Sequence, residues 1–341
     1  MGSLNPAPSQ LPHVPSPGVW SPAVTFFNHE DDTVDHAAQA KYFAHLADSG
    51  LNGLIVMGSN AEAFLLTREE RSEIIALARK TIGPDFPLMA GVGAHSTKQT
   101  LELAEDAHKA GANYLLVLPP AYFGKATSMN VVKRFFSEVA RKSPLPIVIY
   151  NFPGVTNGVD IDSETIVQIF EESKKTSGKS NIVGVKLTCG SVGKITRLAA
   201  QIPSDEFSTY GGQSDFLIGG LAAGSVGCVA AFANVFPTLT AKIYSLYKEG
   251  KFDEAFKLQQ LAALAERPCK AGVASTKYAV AVYSAKLAGI EGAEEKLAPR
   301  HPYEPVGDTV KQNIKSIMKE AGEKEEELLK TWTDRVKGRL N

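Results

Sequence analysis

Between residues 19 and 249 the chain repeats one pattern eight times: a short apolar run, then a longer segment with helical spacing. The apolar runs span 19–27, 53–57, 88–92, 114–118, 147–150, 182–186, 207–210 and 226–229. Each is rich in β-branched or aromatic residues and lacks the polar alternation of a strand with one wet face. That is the pattern of parallel strands covered on both sides. The segments between them carry helix signals. Residues 35–49 space Ala37, Ala40, Phe43, Ala44 and Ala47 on one face before Gly50. Thr67 and Glu70 form a capping box, and Ser96 or Thr97 opens a helix ending near Gly111. Eight strand–helix units predict an α/β fold, a (β/α)8 barrel. An open doubly wound sheet usually has fewer strands and a glycine-rich turn after the first; here Asn28, His29, Glu30, Asp31 and Asp32 follow it.

The pattern also sets domain limits. Residues 1–17 hold five prolines and little to bury, so a disordered arm is expected there. Residues 18–249 make the barrel. Beyond 250 the strand signal stops, and 252–264, 271–287, 310–319 and 323–337 read as a C-terminal helical appendage used in subunit contact. In the last of these, Leu328, Leu329, Trp332 and Val336 make one apolar stripe, and the charge run 323–327 reads as a solvated face.

Composition narrows the function classes. With 36 basic and 37 acidic residues the net charge is -1, which gives no electrostatic reason to expect a nucleic acid or an anionic membrane as partner. No apolar run approaches a membrane span. Cys189, Cys228 and Cys269 are odd in number with no CxxC, which suits reduced thiols. The first 18 residues lack Arg and Lys, so neither a secretory signal nor a transit peptide is visible, and a cytoplasmic location is expected. The seven histidines show no HxH or HExxH spacing, so no metal site is expected.

A barrel enzyme works at the C-terminal ends of its strands. Lys186 ends the sixth apolar run, where a lysine needs a reason to be. Burial disfavours an ammonium, and a neutral amine attacks carbonyls. The plainer reading is a lysine that snorkels to solvent. Tyr150 ends the neighbouring fifth run, and adjacent strands lie about 5 Å apart. An amine beside a phenol suits Schiff-base chemistry on a 2-oxo acid, with the hydroxyl moving protons. Gly58, Ser59 and Asn60, after the second run, offer a hydroxyl, an amide and backbone N–H groups for a carboxylate; otherwise they form a plain turn. Thr188, Gly212, Gln213 and Ser214 are further contacts for the substrate's distal end, or strand-end caps. His95 reads as a helix-entry loop residue.

These residues carry a resemblance. Gly58, Ser59, Asn60, Ala61 and Glu62, then Tyr150, Asn151 and Pro153, then Gly184, Lys186 and Thr188, and finally 224–234 resemble the dihydrodipicolinate synthase / N-acetylneuraminate lyase family of class I aldolases. The likeness runs from about residue 18 to about 290. It implies that Lys186 is the Schiff-base lysine, that Tyr150 shuttles protons, and that Ser59 and Asn60 hold the pyruvate carboxylate. It also implies that Tyr122 reaches a neighbouring subunit's site, that no metal or organic cofactor is used, and that the enzyme is a homotetramer.

Four departures bear on the substrate. Ala61 stands where the family's loop has a second glycine. Val155 matches an arginine of dihydrodipicolinate synthases, so condensation with aspartate semialdehyde is not expected. Ser214 and Ala231 replace an acid and a serine of sialic acid lyases. The loop form is similar to that of fungal 2-keto-3-deoxy-sugar-acid aldolases and 4-hydroxy-2-oxoglutarate aldolases. The resulting expectation is cleavage of L-threo-3-deoxy-hexulosonate to pyruvate and L-glyceraldehyde, in galacturonate breakdown. The alternatives are a 4-hydroxy-2-oxoglutarate aldolase and a barrel that binds 2-oxo acids without turnover; the last would need neither Lys186 nor Tyr150.

Overall fold

In the computed structural model, which describes residues 11–339, the eight apolar runs close into one ring. The chain begins with β1 (Gly18–Pro22), a small hairpin of β2 (Phe27–Asn28) and β3 (Thr33–Val34), and α1 (His36–Ala47). Then strand and helix alternate: β4 (Gly53–Val56), α2 (Arg68–Ile82), β5 (Leu88–Gly91), α3 (Thr97–Lys109), β6 (Tyr114–Val117) and α4 (Met129–Lys142). The second half continues with β7 (Ile147–Asn151), α5 (Ser163–Ser177), β8 (Ile182–Leu187), α6 (Val192–Ala199), β9 (Ser208–Gly211), α7 (Leu217–Ala222), β10 (Gly227–Val229), α8 (Phe232–Val235) and α9 (Pro237–Lys248). All barrel neighbours are parallel, and β10 returns to β1. The first strand stops at Pro22, short of the expected Phe27, which belongs to the hairpin.

Helix starts follow local chemistry. Asp35, Thr67, Ser96, Ser128, Asp162 and Ser191 each accept an N–H from the first turn that follows. The core has two shells. Between strands and helices lie residues such as Phe43, Ile74, Phe136, Ile169 and Leu198. Inside the ring lie Trp20, Ile55, Met89, Tyr114, Val148, Tyr150 and Tyr210.

The expectation of a disordered arm over 1–17 is corrected for residues 11–17; residues 1–10 lie outside the described residues. The chain crosses the N-terminal end of the barrel, where phenols and an indole need acceptors. The Tyr114 hydroxyl donates to Pro12 O at 2.6 Å, Tyr210 to Ser16 O at 2.7 Å, and the Trp20 indole to Ser16 O at 3.1 Å. Ser208 donates to Pro15 O at 2.8 Å. Proline carbonyls suit this task, because the segment has few N–H groups of its own to satisfy.

The C-terminal helices are α10 (Phe252–Ala265), α11 (Val273–Val282), α12 (Ser284–Leu287), α13 (Ala293–Lys296) and α14 (Asp308–Arg339). The two final helices expected from sequence are one, because Gly322 packs under Tyr283 without breaking it. The side chains of Trp332 and Val336 lie outside the described ones. The solvated-face reading of 323–327 fails at Glu325, which is 1% exposed. Its carboxylate accepts the Thr238 N–H at 2.8 Å and the Leu239 N–H at 2.6 Å, filling the open start of α9.

Burial pushes the Glu325 carboxyl up from 4.5 to about 7, against the pull of those two amides. A carboxyl whose folded value is raised contributes stability below its unfolded value and loses it as pH rises through the folded one. The unfolding free energy of wild type minus that of Glu325→Gln is therefore expected to fall, by up to about 3 kcal/mol, between pH 4.5 and 7. Urea denaturation of both proteins across that range checks it; a flat difference contradicts it.

Candidate active site

The register between β7 and β8 slips by one residue: Ile147 pairs with Ile182, but Val148 with Gly184 and Tyr150 with Lys186. Without the slip Lys186 would stand opposite Asn151 and face the helices, since a one-residue shift exchanges the two faces of a strand. The slip turns Gly184 and Lys186 toward the barrel axis, beside Val148 and Tyr150. Gly184 is required there, because a Cβ would come 2.5 Å from Ser208 O. Lys186 is 3% exposed, and its Nζ sits 4.2 Å from the Tyr150 ring centroid. Among the described residues Lys186 forms no ion pair. Tyr150 stacks on Phe152 at 5.7 Å. Asn151 turns outward and is tied to Asp160 and the Ile161 N–H, which fixes the strand end beneath the tyrosine.

Ser59 and Asn60 open a short 3-10 turn, Ser59–Ala61. Among the described residues their backbone N–H groups donate to no acceptor. Two left-handed, non-glycine residues bracket this loop, Met57 at φ 58° and Glu62 at φ 56°. Such backbone is sparsely populated for side-chain-bearing residues and persists only where the surroundings enforce it. Gly91 permits the approach on one side, since a Cβ would lie 1.9 Å from Met57 O. On the other, the Thr25 hydroxyl holds Ala61 O at 2.7 Å. Ala61 is accommodated because the left-handed position falls on Glu62 instead. A small cavity lined by Met57, Gly58, Ser59, Leu118 and Tyr150 joins this loop to the tyrosine.

Thr188 lies two residues beyond Lys186, so both point to one side of the strand end. Its Oγ1 is buried without a hydrogen-bond partner, and Gly212 packs over it: a Cβ there would lie 2.2 Å from that oxygen. The Gln213 side chain accepts from Lys270 at 3.2 Å. Ser214 is a cap: its hydroxyl and N–H both donate to Glu266, and its carbonyl accepts from Gln259. Burial holds the Glu266 carboxyl up at about 7.

Other residues stand away from this centre. Tyr122 is 72% exposed and, among the rings of the described residues, meets His95 and Phe123. His95 directly precedes the Ser96 cap, as expected, and stacks on Phe64. Val155 is exposed after Tyr150. Sequence reading passed over Lys277, Glu266 and the role of Glu62. Glu266 falls in the connection between two predicted helices and Lys277 in a segment that reads as plain helix, although a lysine amid Tyr278, Ala279 and Val280 repeats the signal that singled out Lys186. No helix among the described residues is long and apolar enough to cross a membrane.

Comparison with known proteins agrees with this geometry. The model of the Dihydrodipicolinate synthetase family matches residues 15–321. A candidate mitochondrial 4-hydroxy-2-oxoglutarate aldolase of Coccidioides immitis is 63% identical over 310 residues, covering 91% of this chain and 97% of its own. The L-threo-3-deoxy-hexylosonate aldolase of Hypocrea jecorina is 37% identical, covering 81% and 88% respectively. The crystal structure of a Coccidioides immitis protein assigned to the dihydrodipicolinate synthase family superposes with a TM-score of 0.88 at 60% identity, over 94% of this chain and all of that one. The mitochondrial name of the 63% relative overturns the cytoplasmic expectation. That expectation rested on the residue types of the first 18 positions, of which 1–10 lie outside the described residues. From strand order, site geometry and these likenesses together, the chain belongs to the dihydrodipicolinate synthetase family, and its chemistry is that of a carbon–carbon lyase.

Proposed function

We propose that the chain is a class I aldolase that cleaves 4-hydroxy-2-oxoglutarate to pyruvate and glyoxylate. The observation that carries the mechanism is the buried Lys186 amine over the Tyr150 ring at neighbouring strand ends. The substrate choice rests on similarity. The relative at 63% bears the 4-hydroxy-2-oxoglutarate name and the one at 37% the deoxy-hexulosonate name, so the first expectation yields to its alternative.

In this reading the Lys186 amine adds to C2 of the substrate, and the carbinolamine loses water to give an iminium. Tyr150 moves the protons of that step. It then removes the proton of the C4 hydroxyl. The C3–C4 bond breaks, its electron pair passes to the iminium as an enamine, and C4 leaves as the aldehyde carbon of glyoxylate. Protonation of the enamine at C3 and hydrolysis release pyruvate and restore the amine. The lysine supplies the electron sink, so no external cofactor is needed. Ser59 and Asn60 hold the C1 carboxylate with their free amides. Thr188, with Gly212 and Gln213 beside it, faces the distal end. Tyr122 completes the site of a neighbouring copy in a homotetramer, which accounts for its exposure in one chain. The compartment is the mitochondrion, after the 63% relative.

Borohydride reduction in the presence of pyruvate tests the reading. A covalent adduct on the peptide bearing Lys186 is expected, together with pyruvate release from 4-hydroxy-2-oxoglutarate. No adduct, or release from L-threo-3-deoxy-hexulosonate alone, overturns the mechanism or the substrate respectively.

A further inference from the structure

The left-handed Glu62 is gripped from the C-terminal helices. Lys277, on α11, is 0% exposed, and its Nζ donates to Glu62 Oε2 at 2.5 Å and to Ala298 O at 3.1 Å. The same ammonium lies 4.5 Å from the Phe27 ring centroid. The other carboxylate oxygen, Oε1, accepts the Arg300 N–H at 2.9 Å. Arg300 is itself fixed by Glu70 at 2.6 Å and Asp32 at 2.9 Å. The carboxylate is thus held at both oxygens by elements outside the barrel.

Burying two charges to join α11 to a loop is a poor device for stability. An apolar pair of similar size commonly serves as well, because desolvation offsets the attraction. What an ion pair adds is direction. Here the direction falls on the residue whose strained backbone ends the loop 58–61, and backbone strain of this kind gathers at working sites.

We propose that Lys277 is a positioning residue for the substrate carboxylate: through Glu62 it locks the turn that presents the Ser59 and Asn60 amides to the mouth. The C-terminal helices are then part of the binding site and not only a subunit contact. This inference rests on the reading of the 58–61 loop as the carboxylate site.

The test is the pyruvate dependence of borohydride trapping in wild type, Lys277→Met and Glu62→Gln, with thermal melting alongside. Lys277→Met is expected to raise the half-saturating pyruvate concentration about tenfold or more, while the trapping rate at saturation stays within about threefold, the pattern of lost binding without lost chemistry. Glu62→Gln, which turns an amide N–H toward Arg300 N, is expected to raise it about threefold or more. A lowered melting temperature with unchanged half-saturation overturns the proposal. If Lys277→Met does not fold, Glu62→Gln decides by the same criterion. Absence of any adduct in the wild type counts against the Schiff-base reading instead; the clamp is then judged from calorimetric pyruvate binding to the same variants.

Discussion

Lys186→Met is expected to lower turnover on the order of 10^4-fold or more, since it removes the amine that forms the iminium. The same substitution is expected to leave the melting temperature unchanged or higher. Lys186 is buried without an ion-pair partner among the described residues, so methionine removes a buried polar amine and keeps most of the volume. Steady-state kinetics and differential scanning calorimetry on one preparation check both halves. A variant within about a hundredfold of wild type would contradict the role of the amine, whatever its stability. A variant that loses activity only because it melts below the assay temperature would leave a structural lysine as the better description.

Tyr150→Phe is expected to cost about 10^2- to 10^4-fold in kcat, the usual range for a lost proton-transfer group. The ring itself stays. Phenylalanine can still stack on Phe152 and still lies beneath the Lys186 Nζ, so packing around the amine is preserved. Pyruvate trapping should therefore slow at carbinolamine dehydration while its half-saturating concentration changes little. A normal trapping rate in Tyr150→Phe would move the proton-transfer role to another group.

The barrel was legible because parallel strands covered on both faces leave long apolar runs, and because helix starts carry Asp, Ser or Thr at the cap. Lys186 and Tyr150 stood out for the same reason: each interrupts such a run with a reactive group. What aims Lys186 inward was not legible. The one-residue slip before Gly184 shows only in the pairing of β8 with β7, and the need for glycine there comes from Ser208 O of the next strand, a contact far away in sequence. Glu62 escaped notice as a strained residue because glutamate gives no local sign of a left-handed backbone. Glu325 looked like one more charge in a polar run, and its burial comes from the start of α9, far upstream. The proline-rich residues 11–17 offer little apolar surface beyond Val14, which packs on the inner cluster, yet they are also held through carbonyl oxygens, which composition does not weigh. The sequence did not separate two 2-oxo acids that differ beyond C4, because Thr188 and Gln213, proposed to face that end, read equally well as strand-end caps.

The carbonyls laid across the N-terminal end of the barrel set how far this polypeptide can be shortened from its start. A peptidase that trimmed past Pro12 and on through Ser16 would strip acceptors from Tyr114, Tyr210 and Trp20, at about 1–3 kcal/mol for each buried donor left alone. Trimming upstream of residue 11 touches none of them. Any shortening of the N-terminus is therefore tolerated only as far as that belt.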